Sequence, residues 1–97
     1  MLNERTISDT ILQYSMRRLT YPTVEDMRIK GIKRVGFTVV DSKFNILHEL
    51  PDTPFNLWRK NYNKLYDEYK DVNTNVTKYI LISDQNNSVI YCNRIMR

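Results

Sequence analysis

The side chains best suited to chemistry are few. His48 is the one imidazole and Cys92 the one thiol among 97 residues. A catalytic histidine needs a nucleophile to activate and a carboxylate to orient it, and no G-x-S-x-G elbow or similar constellation surrounds His48. It alternates instead with Phe44, Ile46 and Leu50, so it is expected to share their face near a strand end and to be satisfied by a neighbour. Cys92 follows Ile90 and Tyr91, a setting that predicts a buried thiol acting as a small hydrophobe. A lone cysteine makes no intramolecular disulfide and no cysteine-built metal centre. Asp41, Asp52, Asp67 and Asp84 fall at predicted turns and helix surfaces, where capping explains them. Metal-ligand spacings, Walker-type loops and dinucleotide fingerprints are missing. With only Gly31 and Gly36 available, a backbone cradle for phosphate is hard to build. No enzymatic activity, cofactor or metal is therefore expected.

Charged and aromatic side chains offer more. Residues 1–34 carry seven basic and four acidic groups, and residues 77–97 carry three and one, so the net charge of +4 sits toward the two ends. Arg17, Arg18, Arg28, Lys30, Lys33 and Arg34 form one candidate cluster. A sequence-independent nucleic-acid binder makes about 6–10 phosphate contacts from one face, so these six are a small set for that task. Tyr14 and Tyr21 lie close to them in sequence and could stack on bases or line a protein contact. Seven tyrosines are a surplus for so short a chain, and tyrosine is enriched in interface cores, bringing a rigid apolar body and a polar tip.

Composition bounds the class. At 41% hydrophobic and 27% charged, the chain has the make-up of a small soluble domain. The length is that of one domain. No apolar run approaches the roughly 18 residues needed to span a bilayer, and the opening Met1-Leu2-Asn3-Glu4-Arg5 lacks the apolar core of a secretory signal. A cytoplasmic protein is expected. Alanine is absent, while asparagine, isoleucine, tyrosine and lysine are abundant; this is the bias of an AT-rich genome, and it suggests a bacteriophage or mobile element acting in a host cytoplasm.

The elements that must hold these residues follow from periodicity. Ile7, Ile11, Leu12, Met16 and Leu19 recur three and four apart, predicting a helix over about 6–19 capped by Thr6 or Ser8. Pro22 ends that helix. Thr23 and Asp26 resemble a capping box and Gly31 a stop, predicting a short helix over about 24–30. Val35, Phe37 and Val39 then alternate with Gly36, Thr38 and Val40, so the period becomes two. Strands are expected over about 34–41 and 44–50, joined at Asp41-Ser42-Lys43. Thr53 is expected to cap, and Pro54 to open, a helix over about 54–70. Along it Phe55, Trp58, Tyr62, Leu65 and Tyr69 make one aromatic stripe. Strands over about 77–84 and 88–95 follow, the first apolar on both faces and so interior to the sheet, with Asp84 to Asn87 as their turn. The order is α-α-β-β-α-β-β. The expected fold is α+β, a single domain over 1–97 in which two hairpins form a four-stranded antiparallel sheet with the aromatic helix on one side.

Three functions fit these residues. The foremost is a non-catalytic protein-binding module, phage- or mobile-element-encoded, that inhibits or modulates a host defence or transcription protein. The alternative is a small basic nucleic-acid-binding protein. The third is a nucleotide-binding sponge or sensor, with the basic cluster clamping an anion between protomers. A homodimer is compatible with each, and the same eight residues, Arg17, Arg18, Arg28, Lys30, Lys33, Arg34, Tyr14 and Tyr21, are the candidate contacts.

Overall fold

A computed structural model describes residues 2–16, 23–72 and 75–95, with residues 14–16 described in backbone alone. Helix α1 spans Glu4–Met16 and α2 spans Val24–Ile29. Strands β1 (Arg34–Asp41) and β2 (Ile46–Pro54) follow, then a 3₁₀ turn at Phe55–Leu57, helix α3 (Trp58–Lys70), and strands β3 (Lys78–Asp84) and β4 (Val89–Ile95). The four strands form one antiparallel sheet in the order β2-β1-β3-β4, so the two hairpins meet along β1 and β3. The α+β architecture is the expected one, with the aromatic helix against the sheet.

The stripe of α3 buries because its spacing keeps one side inward. Trp58, Tyr62 and Leu65 are buried against Val35, Phe37, Val39, Ile80 and Ile82, while Phe55 and Tyr69 pack at the margin. Trp58 and Tyr62 meet edge to face at 5.9 Å, and Tyr62 meets Tyr91 at 6.2 Å. Asn93 Nδ2 donates to the Tyr62 hydroxyl at 2.9 Å, satisfying the polar tip inside the core. Lys78 is buried with its ammonium donating to the carbonyls of Val72 and Val76, which ties the end of α3 to β3.

The opposite face of the sheet is also covered. Helix α1 lays Ile7 and Ile11 on Val40, Leu81 and Cys92, with Leu2 in the same cluster, so the domain is layered helix, sheet, helix. Asn3 caps α1: the Thr6 N–H donates to Asn3 Oδ1 at 2.8 Å. The cap was expected at Thr6 or Ser8, but Asn3 lies a full turn earlier and accepts the orphan donor. Residues 17–19 of the expected helix lie outside the described residues.

Both hairpins turn in the same way. Asp41 Oδ1 accepts from the N–H groups of Lys43 and Asn45, each at 2.9 Å, and Phe44 takes φ 69°. Asp84 Oδ1 accepts from Asn86 and Ser88 at 2.9 and 3.0 Å, and Asn87 takes φ 61°. An aspartate mimics the backbone acceptor, and a residue in the left-handed region closes each loop.

The largest departure from expectation is β2. Thr53 and Pro54 belong to the strand, not to the start of a helix: Thr53 is buried opposite Val35, Pro54 pairs with Arg34, and α3 begins only at Trp58. Between Leu50 and Thr53, β2 carries an extra residue opposite Gly36, with Asp52 at φ 66°. This bulge explains the error, because Pro-Asp-Thr-Pro has the composition of a helix start yet is accommodated at an edge strand, where missing N–H groups break no ladder.

Candidate functional site

The basic cluster divides into parts. Arg17, Arg18 and Tyr21 lie outside the described residues, and of Tyr14 only its backbone place in α1 is described. The other four run from Arg28 in α2 through Lys30 at its C-cap and Lys33 in the connection to Arg34 at the start of β1. Arg28 Nη1 pairs with Glu25 at 2.9 Å on the same helix, and its guanidinium lies 5.9 Å from the centre of the Phe55 ring. Arg34 bonds both the carboxylate and the carbonyl of Asp52 and so staples the β2 bulge. Half of the described cluster is thus engaged by the protein's own carboxylates. Lys30 and Lys33 are exposed and take part in no ion pair among the described residues.

Backbone contacts draw α2 against the 3₁₀ turn. Thr23 caps α2, its Oγ1 accepting from the Asp26 N–H at 3.1 Å. Gly31 at φ 75° ends it, which glycine alone does without strain. The Phe55 N–H then donates to the Lys33 carbonyl at 3.2 Å, while Gln85 accepts from the Lys33 N–H and donates to the Gly31 carbonyl, both at 3.1 Å. The outcome is a shoulder of α2, its connection to β1 and the 3₁₀ turn, which exposes two apolar side chains, Ile29 at 75% and Leu57 at 47%, and carries the exposed Arg28, Lys30 and Lys33. Ile29 was missed in the sequence, although a signal was present. Val24 and Met27 are three apart and pack inward, whereas Ile29 is about 200° around the helix from Met27 at 100° per residue. An apolar residue out of phase with its helix faces solvent.

A cleft of about 400 Å³ opens on the α1 face of the sheet, beside Leu2 just ahead of α1. Gly36, Thr38 and Ser83 line it from the sheet, Leu2 and Pro51 from the sides, and the turn of Asp84 to Asn87 from beyond. Glu49, Asp52 and Asp84 bring carboxylates to it and Arg34 its one basic side chain. Sequence reasoning missed Glu49. The edge-strand bulge and the register that puts Glu49 opposite Thr38 leave no signature in composition.

His48 and Cys92 have structural surroundings. His48 Nδ1 is 3.1 Å from the Tyr69 hydroxyl, with the rings edge to face at 5.7 Å. Burial, with the charge of Glu68 beside it, pushes the Tyr69 hydroxyl above its ordinary pKa. His48 pairs with Val39 and Leu50 with Phe37, but a second irregularity at Leu47 turns Ile46 to pair with Val40, so His48 shares its face with Leu50 and not with Ile46. Cys92 is fully buried, and that burial pushes its thiol up to about 12, far from the thiolate that nucleophilic chemistry needs. Among the described residues no group of three or more His, Cys, Asp or Glu side chains is placed to hold a metal ion. No described helix is long and apolar enough to cross a membrane. Compared with protein-family models, with curated proteins and with solved structures, the chain matches none.

Proposed function

We propose that the protein is a protein-binding module that docks an acidic surface with an apolar centre through the shoulder of α2 and the 3₁₀ turn. The observation that carries this reading is the three-quarters exposure of Ile29 on a short capped helix that the exposed Lys30 and Lys33 follow. Interfaces of this kind bury a few apolar anchors inside a polar rim, and unpaired lysines steer an acidic partner during encounter. Because Arg28 and Arg34 are already engaged by Glu25 and Asp52, the described residues of the basic cluster offer only Lys30 and Lys33 outside ion pairs, fewer cations than a phosphate-tracking groove needs. This favours a protein partner over nucleic acid and over a nucleotide clamped between protomers.

The test is affinity capture from host lysate, with and without nuclease, comparing the native chain with an Ile29→Asp/Lys33→Glu double variant. Both exchanges are on the surface, so the variant should melt with the native protein. The reading requires a nuclease-resistant partner held by the native chain and released by the variant. Capture that vanishes with nuclease, together with a steep fall of log K against log salt, would instead support nucleic-acid binding. A partner held equally by both chains refutes the shoulder as the docking surface.

A further inference from the structure

Separate from the docking shoulder, the cleft on the α1 face has the chemistry of a ligand site. Its three carboxylates are not equivalent. Asp52 is occupied by Arg34, and Asp84 accepts two turn N–H groups. Glu49 also lines the cleft, yet its Oε1 is shielded from solvent and has no hydrogen-bond partner. A buried acceptor without a donor is costly, the more so when it carries charge. Counting Arg34 against Glu49, Asp52 and Asp84, the lining has a net charge of −2 in a chain whose net charge is +4. The lining therefore carries more carboxylate than cationic charge, and none of its donors reaches Glu49 Oε1.

Its floor is kept open by small residues. Gly36 lies on the face of Thr38 and Ser83, and a Cβ at Gly36 would stand 3.3 Å from Ser83 Oγ. Leu2 and Pro51 supply apolar wall, and the volume falls within the range of small-molecule sites, about 300–1,000 Å³. Glu49 as a whole is only half-buried and belongs to the edge strand β2, so rotation about its side-chain bonds turns the idle oxygen toward an incoming donor. The carboxylates are not grouped to ligate a metal ion, but they suit a cation whose N–H groups are spread in space. We propose that this cleft binds an organic cation, an alkylguanidinium or alkylammonium. In this site Glu49 accepts the charged N–H, and the alkyl stem lies along Leu2 and Pro51.

The experiment is an amide NMR titration of the intact chain with agmatine. A capped Gly-Arg-Gly peptide is run in parallel, and neutral n-butanol is the control. Saturable shifts centred on Gly36, Thr38, Glu49 and Ser83, with dissociation constants near about 1 mM or tighter, are expected for at least one cation and not for butanol. Tighter binding of the peptide assigns the site to an arginine side chain of a protein; tighter binding of agmatine assigns it to a free small cation. Glu49→Gln keeps the shape and removes the charge, and should weaken binding by about 10- to 100-fold while melting no lower than the native chain. Gly36→Ala retains the carboxylate and narrows the floor, and should also weaken binding. Absence of shifts up to about 10 mM cation, butanol binding as tightly as agmatine, or a folded Glu49→Gln chain with native affinity would each overturn the proposal.

Discussion

Replacing Ile7 by alanine tests whether α1 closes the second face of the sheet. Ile7 has no exposed surface and packs with Ile11, Val40, Leu81 and Cys92. Buried isoleucine-to-alanine changes cost about 2–5 kcal/mol, depending on how far the site collapses. This cluster is small and covered by one helix that can shift, so a cost of about 2–3 kcal/mol is expected. Domains of this size have roughly 5–15 kcal/mol in total, so the variant stays folded but melts roughly 10–20 °C lower. Cys92 reports the loss directly. With its thiol pushed up to about 12, the native thiolate fraction at pH 8 is only about 1 in 10⁴, and a disulfide reagent reacts through transient opening. If the lost stability falls on that opening, labelling accelerates about 30- to 150-fold. Leu12→Ala is the control, since Leu12 is on the same helix but 61% exposed, and it should change stability by no more than about 0.5 kcal/mol. Equal behaviour of the two variants, or a native Cys92 that labels like a free thiol, would refute the packing of α1 on this face.

Trp58→Ala removes the largest buried ring, 2% exposed, and should destabilise by about 3–5 kcal/mol in denaturant titration; a loss below 1 kcal/mol would contradict the buried stripe. Asp52 occupies the left-handed region at φ 66° and holds Arg34, so Asp52→Gly should be tolerated better than Asp52→Ala, by about 1 kcal/mol in chemical unfolding. The Tyr69 hydroxyl, raised by burial and by Glu68 above its ordinary 10.0, favours the protonated folded state. Its contribution is full below that value and is lost as pH rises through the higher folded value; Tyr69→Phe should flatten this alkaline decline in melting curves. Burial pushes the Asp41 carboxyl upward, but the hydrogen bonds from Asn45 and Lys43 outweigh it and hold the group below its ordinary 3.8. Its contribution is present above that value and declines as pH falls below it, so Asp41→Asn should shift the acid limb of the stability profile.

Patterns of neighbouring residues were sufficient for much of the fold. The three-and-four spacing of Trp58, Tyr62 and Leu65 and the alternation around Val35, Phe37 and Val39 register a buried side whatever lies across from it, because burial repeats with the period of the backbone. Asp41 and Asp84 likewise announced their turns, since an aspartate bonds its own nearby N–H groups. The exposure of Ile29 was also present in the spacing of Val24 and Met27.

Tertiary pairing decided the rest. Pro51 to Pro54 have the local preferences of a helix start, and only the pairing of Thr53 with Val35 draws them into an edge strand. The strand order, the seating of α1 over Cys92 and the engagement of Arg34 by Asp52 join residues far apart in the chain, through contacts that no local period encodes. The cleft depends on them most, because Gly36, Glu49 and Ser83 come from three strands and become neighbours only when β1 lies between β2 and β3.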